Sequence, residues 1–119
     1  MPDHSIRDRA YGDRLSPELT ACFRALADRR RRLLLYTLVS EPGHQATLDE
    51  LADHLLAEDP RATEEERTAL VTELYHHHLP RLAHQDIVDF DPDEQTVRYR
   101  HHALLEELLP LVRRLDAEG

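Results

Sequence analysis

The sequence predicts a mainly α-helical domain of the α+β class, with about five helices and one two-stranded β-hairpin. Three observations carry this expectation. Apolar residues recur at helical spacing in five separate stretches. Capping side chains stand where four of them begin: Ser16, Asp28, Thr47 and Thr63. Over residues 87–100 the period changes from helical to alternating, around the turn-forming run Asp91-Pro92-Asp93-Glu94-Gln95.

The elements follow in order. Residues 1–15 lack periodicity and are expected to form a flexible arm, leaving residues 16–119 as one domain. Ser16-Pro17 starts the first helix, which carries Leu19, Cys22, Phe23 and Leu26. Ala27-Asp28 breaks it and caps a second helix over residues 29–40, apolar on most sides and therefore central. Glu41-Pro42-Gly43-His44 is a turn. Thr47-Leu48-Asp49-Glu50 has the pattern of a capping box and opens a helix with the stripe Leu48, Leu51, Ala52, Leu55 and Leu56. A second such pattern, Thr63-Glu64-Glu65-Glu66, opens a longer helix whose buried face is Leu70, Val71, Leu74, Tyr75, His78, Leu79 and Leu82. Pro80 lies inside that helix and predicts a kink near residues 76–79. Residues 87–90 and 96–100 are the strands of the hairpin; Val97 and Tyr99 share one face, Arg98 and Arg100 the other. The last helix, over residues 103–115, has an apolar band too wide for one small domain to cover.

Composition narrows the classes of function. The chain has 119 residues, with 24 acidic against 15 basic ones and a net charge of −9; every basic residue is Arg. This acid-rich, Lys-free, aromatic-poor composition resembles that of proteins from salt-loving archaea. No apolar run approaches the roughly 20 residues of a membrane span. The first residues have no apolar signal core, so a cytoplasmic protein is expected. Cys22 is the only cysteine, which excludes an internal disulfide and a thiolate zinc cluster. With Gly at only positions 12, 43 and 119, there is no glycine-rich phosphate loop. No catalytic residue, cofactor, metal site or small-molecule ligand is indicated, and an enzyme is not expected.

Helix, turn, helix, hairpin is the order of a winged helix-turn-helix domain. In such domains the second helix of the pair enters the DNA major groove and the hairpin lies on the backbone. The run Leu26-Ala27-Asp28, Arg32 to Leu35, Leu48-Asp49-Glu50-Leu51-Ala52, His78-Leu79, Leu82 and Ile87-Val88 resembles the ArsR-type winged-helix pattern. His77-His78-Leu79-Pro80-Arg81-Leu82 followed by Ile87-Val88-Asp89-Phe90-Asp91 is similar to short haloarchaeal winged-helix proteins of uncharacterised function. The resemblance covers about residues 15–115. It implies transcription regulators that dimerise through the first and last helices. The chain departs from the ArsR pattern in three places: it lacks the paired sensor cysteines, Asp86 replaces the usual wing Gly, and the recognition helix opens on three glutamates.

Candidate sites follow from the faces. On the groove helix Thr68, Thr72 and His76 face outward and His77 lies at the edge; Thr and His can read base edges. Arg98 and Arg100 on the wing, with His101 and His102 after them, suit phosphate contact. Leu19, Phe23, Leu104, Leu108, Leu111 and Leu115 are the expected dimer interface. Arg29 to Arg32 fan around their helix, and structural ion pairing is their expected role. His76, His77 and His78 point in three directions and cannot chelate one ion, and His78 is expected in the core. The expected function is a homodimeric, sequence-specific, DNA-binding transcription regulator acting on double-stranded DNA. The alternative is a winged helix that binds no DNA and docks a protein partner through an acidic face.

Overall fold

The computed structural model describes residues 15–57 and 59–119; apart from Leu15, the arm expected at residues 1–15 lies outside them. Helix α1 (Pro17–Leu26) begins where expected: Ser16 Oγ accepts from Leu19 N–H, and Pro17 sits where no hydrogen bond is lost. Asp28 caps α2 (Arg29–Ser40) by accepting from the Arg30 and Arg31 amides. Gly43, at φ 69°, turns the chain into β1 (Gln45–Thr47). Helix α3 (Leu48–Leu56) has the complete capping box: Glu50 N–H donates to Thr47 Oγ1, and Thr47 N–H to Glu50 Oε1. Helix α4 (Glu64–Glu73) has half of one, since Thr63 Oγ1 accepts from Glu66 N–H without a reciprocal carboxylate bond.

The helix continues beyond α4 through a π turn, Leu74–His78, into α5 (Leu79–His84). A kink was expected here, and the helix carries a widened turn at that place. Pro80 offers no N–H, and in an α-helix its ring would strike the carbonyl of His76. One extra residue in the turn relieves that clash, and Leu79 N–H reaches back five residues to Leu74 O.

Strands β2 (Val88–Asp91) and β3 (Thr96–Tyr99) form the hairpin, closed by Asp91 Oδ1 accepting from the Asp93 and Glu94 amides. The sheet is three-stranded rather than two-stranded. β1 pairs antiparallel with β3 in the order β1-β3-β2, with Ala46 and Phe90 on either side of Val97. Ala46, Val88, Val97 and Tyr99 are buried beneath it. Helix α6 (Ala103–Glu118) closes the chain and runs through Pro110 without interruption.

The core lies between α2, α3, the α4–α5 rod and the sheet. Leu34, Leu35, Leu38, Leu48, Leu51, Leu74, Leu79, Leu82, Ile87 and Leu105 are fully buried in it. Each such side chain contributes about 1.5–3 kcal/mol over an exposed one, so the helix pair and the wing are held on one base. The arginine run works as internal stitching. Arg31 donates to the carbonyls of Arg24 and Ala25, and Arg32 to that of Leu26, satisfying the open end of α1. Arg32 also grips Asp116 through Nε at 2.8 Å and Nη2 at 3.2 Å, and Tyr36 Oη donates to the same carboxylate at 2.6 Å. Arg32 and Tyr36 hold the Asp116 carboxyl below its usual range. Burial, with the bond to Asp116, pushes Tyr36 up to about 12. This network ties α6 to α2.

Candidate nucleic-acid interface

The α3–α4 pair is locked by one guanidinium. Arg67 spans the gap between the helices, pairing with Asp53, lying 3.5 Å from Asp49 Oδ1 and donating to the Asp49 carbonyl at 3.2 Å. Its charge is spent inside the motif. Glu64, Glu65 and Glu66 are exposed at the start of α4, where they complement the helix dipole. Beyond them, Leu70 and Leu74 are buried, while Thr68, Ala69, Thr72, His76 and His77 are exposed. Thr68, Thr72 and His76 therefore stand on the outward face as expected. Thr72 Oγ1 donates to Thr68 O at 2.8 Å. Its hydrogen is thereby used, so toward a base it offers a lone pair or its methyl group.

The three histidines diverge. His76 and His77 are exposed, and His78 is 8% exposed with no partner for Nδ1. Burial pushes its pKa below the ordinary histidine value. Tyr75 was legible as a face residue, but its role as a link was not. Its ring meets His76 at 4.8 Å and stands edge-on to Phe90 of β2 at 5.6 Å, joining the α4–α5 rod to the hairpin.

The wing divides its two arginines. Arg98 is exposed on the outer face of the central strand, between Gln45 and Asp89 in register. Among the described residues it makes no ion pair within 4 Å. Arg100 is held by two acids, with Nη1 3.3 Å from Asp86 and Nε 3.6 Å from Asp89. Asp86, which stands where the ArsR pattern has Gly, takes a left-handed backbone at φ 60°. The histidines after Arg100 do not join it. His101 Nδ1 lies 3.1 Å from Glu106, and His102 turns inward at the N-cap of α6, 3.6 Å from Cys22 Sγ. Cys22 itself is fully buried, and burial raises its pKa.

The expected interface residues line two neighbouring helices. α6 turns Leu105 and Leu109 into the core. The adjacent stripe, Leu104, Leu108, Leu111 and Leu115, runs from half-buried to exposed, with Leu111 at 43% and Leu115 at 54%. On α1, Leu19 is half-buried and Phe23 is 56% exposed. No helix among the described residues is long and apolar enough to cross a membrane.

Compared with known proteins, residues 23–98 match a family described as a domain of unknown function, DUF7344. The match runs from the end of α1 through the helix pair to β3, and leaves the apolar stripe of α6 outside it. No curated protein and no solved structure matches the chain. Through residues 23–98 the chain belongs to the DUF7344 family.

Proposed function

We propose that this chain is a winged helix-turn-helix transcription regulator, ArsR-like in pattern, that binds double-stranded DNA as a homodimer. The observation that carries the reading is the outward face of α4 and of the π turn that continues it. Its back is buried against the core, and Thr68, Thr72 and His76 stand free on the other side, with a hairpin attached at its far end. That face suits contact with base edges and thymine methyl groups in a major groove. Arg98 is the wing cation free to hold a phosphate. A two-fold pair joined through α1 and α6 would offer two such faces, as half-sites one turn apart require. The acidic, Lys-free composition fits a protein at work in molar salt, where binding by counterion release is weak and direct base contact must carry recognition.

A second reading draws on a different observation. Arg67 and Arg100 are already paired with acids, and α4 opens on three exposed glutamates. Those features fit a winged helix that docks a basic protein surface. The deciding experiment is selection of duplexes from a random pool at about 0.1 M and about 2 M KCl, read by fluorescence anisotropy. Enrichment of a two-fold site at either salt supports the DNA reading. Recovery of no duplex at both salts removes it and leaves the protein-docking one.

A further inference from the structure

We infer that the acids around Arg100 make the wing an ion exchanger, so that its contact with DNA is nearly independent of salt. The inference rests on the DNA-binding reading above and adds a mechanism to it. A free guanidinium that meets a phosphate releases a condensed counterion, and each such contact steepens the salt dependence by about 0.9 in the log–log slope. Arg100 does not start free. Asp86 lies 3.3 Å from Nη1 and Asp89 3.6 Å from Nε, and all three side chains are partly or largely exposed. To reach a phosphate, Arg100 must leave these carboxylates. The phosphate gives up a cation while the freed carboxylates take one up, so the net release is close to zero. The pairing thus acts as a built-in competitor. It weakens indiscriminate backbone binding at low salt, and it spares the contact at high salt, where the lost counterion gain no longer matters.

Arg98 provides the contrast within one hairpin. It carries the same charge two residues away and, with Asp89 across from it in register, makes no ion pair within 4 Å among the described residues. Its contact should follow the ordinary counterion rule. Asp86 and Asp89 are therefore positioning residues, acting on DNA through Arg100. Asp86 sits at φ 60°, a conformation that Asn also adopts, so its charge can be removed while its backbone is kept.

The test uses the full chain and a duplex selected from a random pool by the wild-type protein. Anisotropy titrations run from about 0.1 M to about 1 M KCl. The double variant Asp86→Asn/Asp89→Asn is expected to steepen the slope by about 0.9 per wing, or about 1.8 for a dimer. Its affinity relative to wild type should then fall about 60-fold across that range. Asp93→Asn/Glu94→Gln removes the same charge from the hairpin turn and should leave the slope unchanged. In an Arg100→Ala background, Asp86→Asn/Asp89→Asn should also have no effect on the slope. Equal slopes for wild type and Asp86→Asn/Asp89→Asn overturn the exchange while the DNA reading stands. An equal steepening by the turn variant reduces the effect to general surface charge and also overturns it. Failure of the random pool to yield a bound duplex for any of these proteins overturns the DNA reading, and the exchange with it.

Discussion

Phe23→Ser tests the second-copy interface most directly. The ring is 56% exposed in the single chain, so its removal leaves the core of the protomer intact. An aromatic side chain presents about 200 Å², so roughly 110 Å² of Phe23 is free to be covered. At about 25 cal/mol per Å², covering it contributes about 3 kcal/mol. A two-fold interface uses the residue twice, giving about 5–6 kcal/mol, or about 10⁴-fold in the dissociation constant. If only half the area is covered, the loss is still about 10²-fold. Sedimentation equilibrium of the wild type should give twice the 13.9 kDa chain mass, and Phe23→Ser should shift the balance toward the single chain. Circular dichroism and the urea midpoint at low protein concentration should stay unchanged, which separates lost association from lost folding. A wild type that sediments at the chain mass at about 100 μM would refute the interface. So would a Phe23→Ser variant that associates as tightly as wild type.

Three further outcomes are expected. Arg98→Ala should weaken binding to selected DNA at about 0.1 M KCl and flatten the salt slope by about 0.9 per wing, whereas Arg100→Ala should barely change the slope; anisotropy titrations check both. Stability should fall as pH drops below the ordinary histidine value, because burial depresses the folded pKa of His78 and only the unfolded chain takes up the proton in that window. Urea unfolding at pH 7.5 and pH 5 should show this loss, reduced in His78→Leu. Thr47→Ala removes the hydroxyl half of the α3 capping box and should cost about 1 kcal/mol, lowering Tm by roughly 4 °C in a thermal melt.

Most of the helical frame was legible because its signals are local. Ser16, Asp28, Thr47 and Thr63 mark helix starts by chemistry confined to three or four residues, and all four cap as expected. Strand β1 was not legible. Gln45-Ala46-Thr47 is too short to show alternation, and it becomes a strand only because β3, some fifty residues later, offers its edge. The π turn was half legible: Pro80 announced trouble in the helix, but the buried stripe tolerates one more residue without losing its face, so spacing could not tell a kink from a bulge. The outward placement of Thr68, Thr72 and His76 followed from helix geometry alone. The division between Arg98 and Arg100 did not. Asp89 could be placed across the hairpin from the pattern, but Asp86 reaches Arg100 from beyond the strand, through a left-handed residue whose direction the pattern does not give.

The widened turn before Pro80 makes two features of the chain interdependent in heredity. Deleting one of the exposed histidines, His76 or His77, would return the rod to α geometry and drive the proline ring into a carbonyl, at a cost of about 3 kcal/mol. Replacing Pro80 with Ala alone would remove the reason for the bulge while keeping its extra residue. Made together, the two changes should cancel, leaving a straight helix with its buried stripe in phase. In a lineage of such proteins the extra residue of the turn and the proline should therefore be gained or lost as a pair.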